Sequence, residues 1–308
     1  MRRKLLLLAL LLPGAACQRT PVPHFAGPMK LGGKLVPAAA LQAGARGYLL
    51  YCRNCHGDGG DGKGAAAPGL SPPPRDFTLG LFKFGAVAGG ALPSDDDLLR
   101  IAHSGLHGTA MLGWDGIPEA TLRDILQYVK TFSPRWKEEE PGDPVTATPD
   151  PWKGKEALGA ERGKKVYHGF AQCLTCHPSY APRKFVYEAS KELTGNATTD
   201  FRDDMYGSVL KESDYGVKLL PPDFTFSDLR SIRPESRLAD LYRVIASGVG
   251  GTAMPSWKGA LPEEDLWALV HYVSSLVDEK GTGAPRRRLE ENAAADASWK
   301  PPVAPSSG

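Results

Sequence analysis

The chain has 308 residues, of which 42% are hydrophobic and 23% charged, with 35 glycines and 27 prolines. That length suits about two domains, and the composition is that of a loop-rich globular protein. Residues 1–40 carry six basic and no acidic side chains, whereas 41–134 hold eight basic against nine acidic and 159–278 fourteen against sixteen, which excludes the basic footprint of a nucleic-acid binder.

Arg2-Arg3-Lys4, the apolar run Leu5 to Leu12 and then Pro13-Gly14-Ala15-Ala16 read as an export signal over 1–16. The run is too short to span a bilayer, and no later segment approaches the ~20 apolar residues a spanning helix needs. Cys17 directly follows the cleavage point and is the one cysteine outside a repeated motif, so it is expected to be the acylated first residue of a membrane-anchored lipoprotein. Gly14, where such signals usually have Leu, keeps ordinary cleavage after Ala16 as the alternative. Residues 17–40 are Pro/Gly-rich and read as a tether.

A helix over 41–52 is expected to lead into Cys52-Arg53-Asn54-Cys55-His56, and one over 160–171 into Cys173-Leu174-Thr175-Cys176-His177. C-x-x-C-H is the attachment signature of c-type haem: two thiols join the vinyl groups and the next imidazole takes one face of the iron. Zinc pairs and thioredoxin-like pairs also use C-x-x-C, but neither asks for His directly after it. Two sites imply two covalent haems, with Cys52, Cys55, Cys173 and Cys176 as attachment points and His56 and His177 as iron ligands.

The motifs belong to a longer repeat. Asp97 to Gly105 leads through Gly108-Thr109-Ala110-Met111 to Trp114, and Asp240 to Gly248 leads through Gly251-Thr252-Ala253-Met254 to Trp257. Ser94 and Asp97 resemble a capping pair opening the first of these helices. Pro118-Glu119 and Pro262-Glu263 then open terminal helices, prolines at the first helical position, whose Leu122, Ile125, Leu126, Val129 and Leu266, Leu269, Val270, Val273 follow i, i+3, i+4, i+7. Both copies also contain a proline-rich approach to Asp-Phe-Thr, at 72–78 and 220–225. The second copy has 22 extra residues between haem motif and methionine, within 183–233. The plan is therefore all-α, with domains at 41–134 and 159–278, a proline-rich linker at 135–158 and a Gly/Ala/Pro/charged tail at 279–308 expected to lack structure.

Both halves resemble mono-haem cytochrome c domains of the His/Met type, joined in tandem. The resemblance implies that Met111 pairs with His56 and Met254 with His177 across the two irons. It also implies that the carbonyl of Pro68, twelve residues after His56, accepts the imidazole's second hydrogen bond; the second copy has no clear equivalent. Phe77 and Phe224 are then expected against the porphyrins, and the Trp114 and Trp257 indoles at haem carboxylates. Two six-coordinate irons leave no open position for substrate, so the implied function is electron transfer between extracytoplasmic redox partners, free in the periplasm or as a membrane-anchored subunit of a respiratory or dehydrogenase complex. A dihaem peroxidase or a haem-based sensor are the alternatives; the first would show a departure from the repeat at one methionine, and none is visible.

Overall fold

The computed structural model describes residues 21–302; the expected export signal and Cys17 lie outside the described residues. In chain order it has a hairpin, β1 (Met29–Leu31) and β2 (Lys34–Val36), then α1 (Ala38–Tyr51), α2 (Arg53–His56), α3 (Asp95–Ser104), α4 (Glu119–Lys130) and α5 (Arg135–Glu138). The second half follows as α6 (Glu156–Lys165), α7 (Arg183–Thr194), α8 (Arg237–Ser247), α9 (Glu263–Asp278) and α10 (Ala284–Ser298). The only sheet among the described residues is the antiparallel β1–β2 pair, Met29 opposite Val36 and Leu31 opposite Lys34. The architecture is two helical units in tandem, as the sequence plan implies.

Each half is built on one helix crossing. Leu41, Ala45 and Tyr48 of α1 meet Leu122, Ile125, Tyr128 and Val129 of α4, and Val166 and Tyr167 meet Leu266, Leu269, Tyr272 and Val273 of α9. Burying such side chains contributes about 1.5–3 kcal/mol each. The crossings are closest at Gly44 and Gly163. A β-carbon on Gly44 would stand 2.0 Å from the Asp124 carbonyl oxygen, and one on Gly163 1.9 Å from that of Ala268, so backbone lies on backbone.

Local sequence explains the helix ends. Pro37, Pro118, Pro182 and Pro262 each precede a helix with extended ψ, one residue earlier than the first helical position expected of Pro118 and Pro262. Proline lacks the N–H a longer helix would use. Ser94 caps α3 by accepting the Asp97 N–H at 3.2 Å and donating to the Asp97 carboxylate at 2.7 Å. Ser94→Ala is expected to cost about 1 kcal/mol in urea unfolding.

Three stretches depart from the sequence reading. The tether read over 17–40 contributes Leu31 and Val36 to the first core, because β1–β2 closes over Trp136 and Gly32 N–H bonds the Trp136 carbonyl at 2.5 Å. The 135–158 linker is not a free spacer. Gly142 and Val145 donate N–H bonds to Leu92 and Ala86 of the first half, at 3.0 and 2.7 Å. Thr148 accepts the Trp267 indole N–H at 2.9 Å, and Trp152 donates to the Glu264 carbonyl at 2.9 Å. The tail expected to lack structure forms α10. Asp296 holds it, accepting the Arg183 N–H and the Tyr206 hydroxyl, both at 2.7 Å, while Trp299 meets the rings of Tyr187 and Phe201.

Candidate functional site

Each C-x-x-C-H pentapeptide forms one tight helical turn. Cys55 and His56 N–H groups both donate to the Cys52 carbonyl, at 3.2 and 3.0 Å, and Cys176 and His177 to that of Cys173, at 3.1 and 2.9 Å. Positions i, i+3 and i+4 share a helix face, so two thiols and one imidazole are presented together. None of these four cysteines is in a disulfide. Burial and then the neighbouring cysteine push Cys52 up to about 12; burial leads in raising Cys173 to about 12 as well. Among the described residues no group of three His, Cys, Asp or Glu side chains is placed to hold a metal ion directly.

The imidazoles are held alike in both copies. His56 Nδ1 lies 3.0 Å from the Arg75 carbonyl oxygen and His177 Nδ1 2.9 Å from that of Pro222. A carbonyl only accepts, so Nδ1 carries the proton and Nε2 keeps its lone pair. Burial lowers the basicity of both rings, outweighing the opposing pull of these bonds, which keeps that lone pair free of a proton. Phe77 stacks on His56 with centroids 4.4 Å apart, and Phe224 on His177 at 4.7 Å. These phenylalanines thus support the imidazoles.

The acceptor corrects the expectation for Pro68, which is exposed in a turn between Ala67 and Leu70. Phe77 N–H bonds the Gly60 carbonyl at 2.7 Å, and this clamp brings Arg75, rather than the earlier proline, to the ring. Arg75 and Pro222 are the residues directly before Asp-Phe-Thr in the two copies, so the repeated tripeptide was the signal that locates both acceptors. A second repeated contact escaped sequence reading: Tyr48 donates to the Gly57 carbonyl at 2.7 Å and Tyr167 to that of Pro178 at 2.9 Å, in each case the residue after the histidine.

The methionine loops also match bond for bond. Met111 N–H bonds Thr109 Oγ1 at 3.1 Å and Met254 N–H bonds Thr252 Oγ1 at 3.2 Å; the carbonyls of Met111 and Met254 accept from Leu106 and Val249. Gly105 and Gly248, at φ 65° and 75°, make the left-handed exits from α3 and α8 that only glycine adopts easily. Trp114 and Trp257 close these loops through N–H bonds to Ala102 and Ala246.

In the first half these parts surround one cavity of about 620 Å³, within the ~300–1,000 Å³ usual for cofactor sites. Cys52, Cys55, His56, Met111 and Trp114 line it, among Leu98, Ile101, Leu126 and Val129. Two thiols, an imidazole and a thioether around a mostly apolar cavity of this size fit haem c, whose attachment and ligation need those groups. In the second half Cys173, Phe224, Met254 and Trp257 pack against the second core. The segment between α7 and α8, the longer loop of the second copy, reaches the first cavity: Tyr215, Val217, Leu219 and Arg230 form part of its wall. Among the described residues no helix is long and apolar enough to cross a membrane.

The family described as cytochrome c oxidase, cbb3-type, subunit III matches residues 39–129 and 159–273. A chain of the Kuenenia stuttgartiensis reducing HAO-like protein complex Kustc0457/Kustc0458 is similar in structure, with a TM-score of 0.61 and 29% identity over 76% of this chain and 96% of that one. No curated protein matches. The matched segments cover both C-x-x-C-H turns and both methionine loops, and the chain belongs to the family of cbb3-type cytochrome c oxidase subunit III, c-type cytochromes that hold haem c covalently and transfer electrons.

Proposed function

We propose that the chain is a dihaem electron carrier of an extracytoplasmic space, with Cys52 and Cys55 holding one haem between His56 and Met111, and Cys173 and Cys176 holding the other between His177 and Met254. The observation that carries this reading is the duplicated support of the axial groups: the same carbonyl position anchors each imidazole, and the same threonine bond orders each methionine loop. Haem c, when bound, supplies a one-electron Fe(III)/Fe(II) couple.

The chain's own residues do the rest. Backbone bonds to Nδ1 fix each imidazole's plane and strengthen it as a donor. The thioethers, held in loops pinned at both ends, favour the reduced state and a small geometric change on electron transfer. Trp114, on the cavity wall, offers its indole N–H to a haem carboxylate, and Trp257 is assigned the same role in the second half. Redox proteins are the partners, and an acylated Cys17 holds the carrier at the periplasmic face of a membrane. The similar structure comes from a protein complex, which supports a place as an electron-transfer subunit.

Purified protein is expected to carry two haems per chain, with c-type bands in the reduced-minus-oxidised spectrum. Met111→Ala and Met254→Ala should each remove about half of the weak far-red sulfur-to-iron absorbance. Unchanged spectra in both variants, or fast peroxide turnover by the unmodified protein, would rule out two closed sites. Mass spectrometry of the mature N-terminus reads the Cys17 assignment.

A further inference from the structure

Three cations line the first cavity, and the one carboxylate that acts on any of them, Asp76 on Arg75, does so without ion-pair contact. Arg75, Lys83 and Arg230 all face it, and among the described residues none has a carboxylate in ion-pair contact. The two carboxylates on the same wall are engaged elsewhere: Asp76 accepts from Thr78 at 2.8 and 2.5 Å, and Asp97 is bound to Ser94 and Arg100. Two of the cations gather on one aromatic ring. The Arg75 guanidinium carbon lies 3.9 Å and Lys83 Nζ 5.1 Å from the centre of Tyr215.

This arrangement is held from both halves of the chain. Tyr215 donates its hydroxyl to the Gly250 carbonyl at 2.9 Å, Gly250 N–H bonds the Lys83 carbonyl at 3.1 Å, and His107 N–H bonds the Arg230 carbonyl at 2.9 Å. Burial, followed by repulsion from Arg75 and Arg230, pushes the Lys83 amine down to about 8. Like charges crowded at the edge of an apolar cavity are costly unless an anion compensates them. The reading of the cavity as a haem site supplies one, since haem carries two carboxylates on one edge and a guanidinium matches a carboxylate in a bidentate fork.

We propose that Arg75, Lys83 and Arg230 form a cationic seat for the carboxylates of the haem in the first cavity, so that the second half completes the first half's cofactor site. Arg75 then acts on both sides of the cofactor, through its carbonyl on His56 and its guanidinium on a carboxylate. Positive charge at this place favours the reduced haem, because reduction removes one positive charge from the iron. The proposal rests on haem c occupying this cavity.

The test is potentiometric titration of the full-length, haem-loaded protein, with the first haem identified as the wave that Met111→Ala displaces. Arg230→Gln and Lys83→Gln are each expected to shift the reduced-to-oxidised ratio of that haem about tenfold towards oxidised at fixed potential, ~59 mV for a one-electron couple. Arg230→Lys should restore most of the shift, and the second wave should stay in place. Intact c-type bands with the first wave unmoved in both glutamine variants would overturn the seat. Absence of c-type bands from the unmodified protein would instead overturn the haem reading, and is checked first.

Discussion

Lowering the pH from 7 to 5 is expected to destabilise the second half by about 2 kcal/mol through one residue, His168. This imidazole is fully buried in the turn Val166–Phe170, where its Nδ1 bonds the Lys164 carbonyl at 2.8 Å and its Nε2 accepts the Tyr180 N–H at 3.2 Å. Those partners require the neutral ring, with the proton on Nδ1. Burial, the dominant cause, together with the nearby Lys164 and Arg288 charges, lowers its pKa from 6.5 to about 3, against a weaker opposing pull from the Lys164 carbonyl. The unfolded chain takes up a proton near 6.5 and the folded one only near 3, so between these values the unfolded state binds more protons. Stability is therefore lost as pH falls through that window, by up to ~1.4 kcal/mol per unit. The loss reaches the second site, because Tyr180 also donates to Asp223 and accepts the Phe224 N–H beside the Pro222 carbonyl that anchors His177. Urea unfolding at pH 7, 6 and 5 measures the slope. His168→Gln, which cannot titrate, should flatten it whatever its stability at pH 7; an equal slope in the two proteins would remove His168 as the cause.

Gly163→Val is expected to be at least as damaging at every pH. Its added carbon atoms meet the Ala268 carbonyl, a main-chain group that no rotamer change can move, so α6 and α9 must separate. Overpacking costs about 1–3 kcal/mol where side chains yield, and this obstacle places the loss at the top of that range or above it. Gly44→Val should do the same to the α1–α4 crossing through the Asp124 carbonyl. Each variant is expected to lower the haem content of its own half more than the other's, read as c-type absorbance per chain. Gly59→Ala, where an added carbon meets nothing within 4 Å, serves as the control and should melt as the unmodified protein does. A Gly163→Val protein with unchanged unfolding midpoint would contradict the close crossing.

What the sequence announces here is what side chains carry over short spans. The C-x-x-C-H turns, the glycine-marked methionine loops and the apolar stripes of α4 and α9 are local patterns, and the structure places each where its pattern implies. The imidazole acceptors are backbone carbonyls, so no side-chain chemistry marks Arg75 or Pro222, and only the recurrence of Asp-Phe-Thr after them betrays their equivalence. Gly44 and Gly163 escaped notice because they precede their motifs by eight and ten residues; the turn Val166–Phe170 lies within the longer interval. The α10 helix has little apolar surface, and its docking depends on a few polar contacts of Asp296, which composition does not register. The reach of Tyr215 and Arg230 into the first cavity is a contact between residues more than a hundred positions from the motif they serve.

The proline-rich strap over 141–155 changes how the joint between the halves is to be pictured. Bonded to Leu92 and Ala86 on one side and to Trp267 and Glu264 on the other, it works as a splint. Two tethered domains would sample many relative orientations. Splinted halves share one orientation, and for the dihaem carrier proposed above the exchange rate between haems is expected not to depend on viscosity.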